Sequence, residues 1–406
     1  MTSATLDPAL PARRLKIDVV VHGRFHAFHL ARALLERGHD VRLLTNYPVW
    51  AVRRFGLPGG CVVAFPLHGI LVRLYFRTLG RLGTVGLPTL HRLFGRWAAR
   101  KVRTDADMIY VFSGVAEEIL IRFRGRPSPQ VWVVRGSAHI LEQNRILRDE
   151  RTRVGVPMDL PSPWTMAREV REYALATRIV SLSTFARESF ASHPALAGKV
   201  ILLRAAVDAT RFRPTAETIA ERIRRIEAGE RLRVLNVGSF SFQKGARDLL
   251  DVANALHERM DFRFVGTLPA ETRALQQQSG GRIELVPRVP EFALVDHYAW
   301  ADVFLFPTLQ DGSAAVLAQA QAAGLVVVTT PNSSGPDLVA EGVTGWIVPI
   351  RDPAAMIDRL SRCDADRGLL AGMVRASCDA PSTRQWSDMA ADVEAQFGHE
   401  RDGHAA

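Results

Sequence analysis

Short apolar runs alternate with longer stretches whose apolar residues recur at helical spacing, and this rhythm persists from about residue 15 to residue 390. Leu15–Val21 opens the series as a strand, and a turn at His22-Gly23-Arg24 follows. A helix is predicted from about Phe25 to Arg37, because Phe28, Leu30, Ala31, Leu34 and Leu35 recur at helical spacing. Gly38 stops it, and Val41–Thr45 is the next strand. Further strands are expected at Cys61–Phe65, Met108–Phe112, Val131–Val134, Arg178–Leu182 and Val200–Leu203. The second half repeats the rhythm more clearly, with strands at Val234–Val237, Phe262–Val265, Ile283–Val286, Val303–Phe306, Val326–Thr329 and Trp346–Val348. Strands alternating with helices predict α/β structure with parallel, doubly wound sheets.

At 406 residues the chain exceeds one ordinary core, so the expectation is two Rossmann-like domains facing a cleft. The first is placed at residues 1–210 and the second at 211–384, with Asp208–Pro214 as the linker. A helix around Trp386–Phe397, within a segment 385–406, follows a loop at Ala380-Pro381-Ser382 and is expected to cross back to the first domain. In such an arrangement ligands bind outside the carboxyl ends of the strands. Hydrophobic content of 47% fits a globular protein. The cysteines Cys61, Cys363 and Cys378 are odd in number and far apart, which argues against a disulfide framework or a zinc site. Met1–Arg14 lacks the apolar core of a secretory signal, and no run approaches the ~18 apolar residues of a membrane span. A cytoplasmic protein is expected.

The net charge of +10 is unevenly distributed. Between Asp40 and Asp105 there is no acidic residue, while Arg42 to Arg103 contributes eleven basic ones, Arg81 among them, so the remainder of the chain is close to neutral. Leu71–Arg77 and Leu93–Trp97 interleave arginine with large apolar side chains, a mixture suited to the headgroup region of an anionic bilayer. Peripheral contact with the inner face of the cytoplasmic membrane is one reading. A solvated basic face is the plainer one, and nucleic acid is disfavoured because no nucleic-acid module motif is present.

Two segments of the second half carry the chemistry. Gly238–Gly245 places Lys244 in a loop between a strand and a helix; with 48 arginines and four lysines in the chain, a lysine beside glycine suggests a compact ammonium set against phosphate oxygens. Asp311-Gly312-Ser313 opens a second helix, where the N–H groups of Ser313, Ala314 and Ala315 would seat a diphosphate. Gln319, seven residues after Gly312, returns to the same side of that helix, so Asp311 and Gln319 could both reach sugar hydroxyls. The alternatives are an ordinary cap for Asp311 and a solvent-facing amide for Gln319. Ser239, Arg288 and Val289 complete the candidates on this side. In the first half, His139 follows a strand end and is expected to face the cleft, although a lone histidine is more often structural. Gly23 and Arg24 sit on the first turn, where a sugar phosphate could approach the backbone, with His22 and His26 as weaker candidates. Glu117 and Glu118 read as a solvated helix face.

These residues resemble the retaining GT-B glycosyltransferases of family 4. Lys244-Gly245 matches the end of that family's donor loop, and Asp311 and Gln319 fall where it has two glutamates seven residues apart. Phe306-Pro307-Thr308, Ala322-Ala323-Gly324 and Gly342–Pro349 read like family segments, as do Gly23–Phe28, Arg135–Ile140 and Glu172–Val180 for one bacterial branch. The resemblance implies a GT-B fold and sugar transfer from a nucleotide diphosphate to an acceptor hydroxyl, in cell-surface polysaccharide or glycolipid synthesis. It implies a donor domain in the second half and an acceptor domain in the first, with His139, Lys244 and Asp311 nearest the reacting atoms. The acceptor would be a saccharide or a lipid-linked one. Neither a metal nor a cofactor beyond the donor is called for. The chain departs from the family at Ser239, where an arginine is common, and at Gln319, where a carboxylate would hold the ribose. An amide still hydrogen-bonds a hydroxyl. A nucleotide-sugar 2-epimerase, a phosphorylase and a non-catalytic binding protein on the same fold are the rival readings.

Overall fold

The computed structural model describes residues 13–78, 86–380 and 384–402; Arg81 of the basic stretch, Pro381-Ser382 of the predicted loop, and residues 1–12 and 403–406 of the terminal segments lie outside the described residues. Two wholly parallel sheets form, one in each half. The first contains β1 (Lys16–Val21), β2 (Asp40–Thr45), β3 (Val62–Ala64), β4 (Met108–Phe112), β5 (Gln130–Arg135), β6 (Arg178–Ser181) and β7 (Val200–Leu202) in the order β3-β2-β1-β4-β5-β6-β7. The second contains β8 (Leu232–Ser239), β9 (Met260–Thr267), β10 (Ile283–Pro287), β11 (Val303–Phe306), β12 (Val326–Thr329) and β13 (Gly345–Ile347) in the order β10-β9-β8-β11-β12-β13. Their central strands are apolar at nearly every position and fully buried, as parallel strands covered by helices on both faces must be.

Each sheet reverses its winding once, between β1 and β4 and between β8 and β11. At such a reversal the loops leaving adjacent strands diverge and open a crevice at their carboxyl ends. The turn after β1, the loop after β8 and the loop after β11 are therefore the places where the topology makes room for a ligand.

The two bodies are tied together at several points. Arg153, at the end of the helix Ile140–Val154, reaches across to the buried Asp248 at 2.7 Å, and Arg351 returns to the buried Glu150 at 2.9 Å. Asp337 accepts from the backbone N–H and the hydroxyl of Thr184. The terminal helix Trp386–Asp402 lays Met389, Ala390, Val393 and Phe397 into the first-domain core, and Glu394 accepts a bidentate pair of bonds from Arg37. No helix among the described residues is long and apolar enough to cross a membrane.

Candidate functional site

A cavity of about 950 Å³ lies between the carboxyl ends of the two sheets. The second domain contributes Gln243, Lys244, Asp311, Ser313 and Gln319 to its wall, and the first contributes the turn from His22 to His26, the end of β4 and the loop Gly136-Ser137. The two motifs singled out in the second half thus share one crevice.

Lys244 is brought there by backbone geometry. Gly245 has φ +75°, and a Cβ on it would lie 2.0 Å from the Pro307 carbonyl oxygen at the end of β11. Only glycine permits this approach. The loop is then laced to the β11 exit by the Leu309 N–H, which donates to the Gln243 carbonyl at 2.9 Å. Lys244 Nζ meets Asp311 Oδ2 at 2.6 Å, with about a fifth of each side chain still open to solvent. The expected diphosphate seat is changed by this closeness. Asp311 also accepts from the Ser313 N–H at 3.1 Å, and the Ala315 N–H is taken by the Ser313 carbonyl. Of the three N–H groups expected to be open, two are satisfied within the loop, one by the aspartate folding back on its own chain and the other by a backbone carbonyl. Asp311 therefore closes a turn within the loop and is the counter-ion of the ammonium, rather than the cap of the helix, whose N-cap position is Ala314 with no side-chain bond. Gln319 lines the cavity, and its Oε1 accepts from the buried Tyr298 hydroxyl at 3.0 Å, which leaves its NH₂ as a donor.

Other expected contacts fall elsewhere. Gly312 presses on the first domain, where a Cβ would come within 2.4 Å of Ser137 Cα, and beside it Ser137 donates to the Gln310 side chain. Its smallness serves the junction between domains rather than the approach of a ligand. Gly238 lies opposite Gly266, where a Cβ would sit 1.8 Å from the Gly238 carbonyl oxygen; this is a close pass of β8 and β9. Ser239, at the end of β8, and Ala314 lie off the cavity lining. Arg288 is exposed and Val289 half-buried beyond the edge strand β10, two strands from β8 and outside the lining.

On the first-domain wall, Gly23 adopts φ +111° and donates its N–H to Asn46 Oδ1 at 3.0 Å. That turn carries Arg24, whose guanidinium lies 5.0 Å from the Phe55 ring centroid, and Phe25, which holds φ +41° and stacks on Phe112 at 5.4 Å. A positive φ on a bulky residue is strained, and such strain collects at functional sites. His26 Nε2 and the Tyr110 hydroxyl lie 3.0 Å apart. Burial lowers His26 to about 3; burial first, then the neighbouring His91 and His68, lowers His22 to about 3. Both rings are neutral near pH 7, so this wall offers polar contacts from histidine and positive charge from Arg24.

His139 does not face the cleft. The chain leaves β5 through Gly136-Ser137-Ala138, and His139 caps the helix Ile140–Val154, accepting from the Leu141 N–H. Its ring is 1% exposed, stacked on His193 at 3.9 Å and absent from the cavity lining. Glu117 and Glu118 are not solvated either; both bind the buried Arg168. Arg135 was missed. At the end of β5 it donates to the Ala138 carbonyl at 2.9 Å and pairs with Glu169, so it fixes the loop that meets Gly312. An arginine closing an apolar strand, and the Glu169/Tyr173 pair one helical turn apart, were the available signals.

Among the described residues no group of three or more His, Cys, Asp or Glu is placed to hold a metal ion. The chain has two Asp-x-Asp triplets, and neither is at the cavity. Asp105 and Asp107 pair with Lys16 and Arg13, while Asp364 pairs with Arg259 and Arg367 and Asp366 caps a helix.

Residues 231–366 match the family model described as "Glycosyl transferases group 1". The chain is 30% identical over 188 residues to a protein named colanic acid biosynthesis glycosyltransferase WcaL, from Escherichia coli (strain K12), covering 41% of this chain and 43% of that one. It is 30% identical over 242 residues to the GDP-mannose-dependent alpha-(1-6)-phosphatidylinositol monomannoside mannosyltransferase of Mycobacterium tuberculosis (strain ATCC 25618 / H37Rv), covering 55% and 61%. The chain thus spans about half the length of these relatives. Among solved structures, a sucrose-phosphate synthase from Thermosynechococcus elongatus superposes with a TM-score of 0.69 at 17% identity, covering 96% of this chain and all (100%) of the other. The fold is the GT-B arrangement, two Rossmann-like domains facing a cleft.

Proposed function

We propose that this protein is a retaining, family 4-like glycosyltransferase that moves a sugar from a nucleotide diphosphate to an acceptor hydroxyl. The observation that carries the proposal is the meeting of Lys244, Asp311 and Gln319 in one cavity at the switch points of two facing sheets. An arriving diphosphate competes with Asp311 for the Lys244 ammonium. The carboxylate, freed from that pair, can accept from a hydroxyl of the transferred sugar. Gln319 offers its NH₂ toward the nucleotide ribose. The sugar's anomeric carbon–oxygen bond to phosphate breaks, a bond to the acceptor oxygen forms on the same face, and the acceptor proton passes to the departing phosphate. Positive charge from Lys244 and the start of the helix Ala315–Ala322 stabilises that leaving group. A histidine base has no place in this route, in keeping with the neutral, low-basicity rings across the cavity. No metal is invoked, so turnover is expected to survive a chelator.

Under the same proposal, residues 211–384 bind the donor and the first domain binds a saccharide or lipid-linked acceptor on the cytoplasmic side, within cell-surface polysaccharide or glycolipid synthesis. The name of the colanic acid relative supports that setting. The Lys244–Asp311 pair also favours a second reading, a protein that binds nucleotide sugars without turning them over, because the cation is already neutralised. A thermal-shift screen of UDP-, GDP- and ADP-sugars, followed by a product assay with the best of them, separates the two. Transfer predicts both a raised melting temperature and nucleotide release that an acceptor accelerates; a shift without release supports the binding protein, and no shift with any donor defeats both.

A further inference from the structure

We propose that the helix Pro66–Thr78 docks the protein on an anionic lipid surface. This helix carries large side chains on two of its faces. His68, Val72 and Tyr75 turn toward the body of the domain, and Gly69 lets the helix settle against the Asn46 carbonyl, where a Cβ would come within 2.5 Å. Leu67, Ile70, Leu71 and Leu74, at spacings of three, four and seven, form a second stripe that faces solvent. Leu67 is 60% exposed, Ile70 57% and Leu74 53%. A soluble surface carries isolated apolar residues, whereas a continuous stripe marks an interaction face.

The occupant is indicated by the charges around it. Arg73 and Arg77 border the stripe on one side, and neither has a carboxylate partner among the described residues. The next helix, Leu87–Lys101, adds Arg96 and Arg100, neither of which forms an ion pair among the described residues, and the whole stretch from Val41 to Thr104 lacks an acidic residue. Apolar side chains flanked by unpaired arginines and free of acids match a layer with anionic headgroups above acyl chains. The face continues to the cavity. Arg73 lies 5.9 Å from the Tyr47 ring, and Arg54, which lies 5.0 Å from the ring of the exposed Trp50, lines the cavity. An acceptor held in the lipid surface would reach the cavity along this edge.

The test is co-sedimentation of the full-length protein with phosphatidylcholine vesicles, with and without phosphatidylglycerol. Partition is expected only with phosphatidylglycerol, strong at about 0.1 M salt and at least tenfold weaker at about 1 M, where screening lengths are roughly 10 and 3 Å. Leu71→Ser/Leu74→Ser should weaken it about tenfold or more, and Arg73→Gln/Arg77→Gln by roughly fivefold for each arginine. Both double variants should keep the wild-type melting temperature and donor binding, so this inference can fail while sugar transfer stands. Absence of partition at low salt, or partition that neither variant diminishes, would overturn it. So would a concentration-dependent dimer, seen by light scattering, that Leu71→Ser/Leu74→Ser abolishes, because the occupant would then be a second copy.

Discussion

Lys244 stands on the cavity wall because Gly245 lets the backbone turn tightly against Pro307, whereas His26, across the cavity, stands there because Tyr110, Phe112 and Trp386 pack around its ring. The second-domain wall is set by backbone constraints, with glycines at points of close approach and side chains satisfied within a few residues of one another. The first-domain wall is set by buried rings drawn from distant parts of the chain, the terminal helix included. The two constructions fail under different perturbations, and that difference can be measured.

The largest expected effect is acid sensitivity greater in the first domain than in the second, where His297 is the one histidine lowered by burial among the described residues. His22 and His26 are held at about 3 and His91 at about 4, chiefly by burial. An unfolded histidine titrates near 6.5, so above that pH both states are neutral and the shift has no effect. As pH falls from 6.5 toward 3 to 4, the unfolded state binds protons that the folded state refuses, so first-domain stability falls, offset in part by Glu172, which burial raises to about 8 and which takes up its proton first in the folded state. Scanning calorimetry between pH 7 and 4.5 should show the first domain's transition moving down steeply while the second domain's moves little. His22→Asn/His91→Gln should flatten that slope. Transitions that move together would erase the contrast.

A smaller effect is expected from Gly245→Ala. A methyl group at φ +75° aimed at the Pro307 carbonyl forces the donor loop off β11. A loss of about 2–3 kcal/mol in the second domain is predicted from strain and overpacking, with donor affinity falling alongside. Urea melts report the first and calorimetric titration the second. Retained donor affinity would mean that the loop is not held by this contact. The smallest effect is assigned to Gln319→Ala, which under the proposed donor site removes one neutral hydrogen bond to the ribose and takes from the Tyr298 hydroxyl its shorter bond, leaving the Val316 carbonyl at 3.4 Å. A rise of about fivefold in donor KM, near 1 kcal/mol, with kcat little changed, is expected from steady-state kinetics. An unchanged KM would remove Gln319 from the donor site.

These contrasts also explain what could be read in the chain itself. Met108–Phe112, Val303–Phe306 and Val326–Thr329 have the boundaries their apolar runs predict, because a strand buried on both faces has no polar register to obscure its ends. Strands β8 and β9 run on through Gly238-Ser239 and Gly266-Thr267, residues of weak strand propensity, because the two glycines allow the ladder to continue. Lys244 and Asp311 were legible because a local motif positions each one. The junction of Gly312 with Ser137 was not, since it joins residues from different domains and neither has a side chain that advertises it. His139 was misplaced for a related reason: a strand end predicts a ring facing the cleft, but three intervening small residues turn it into a cap packed on His193.

The central claim is that the ammonium of Lys244 holds a diphosphate, and calorimetric titration of nucleotide-diphosphate sugars into wild-type and Lys244→Met protein tests it most directly. Wild type is predicted to bind one donor class, and Lys244→Met to bind it at least tenfold more weakly, about 1.5–3 kcal/mol for a charge-assisted contact, with an unchanged melting temperature. The double variant Lys244→Met/Asp311→Asn, which also removes the carboxylate left unpaired, should remain weak. Equal affinity in wild type and in both variants would contradict the account.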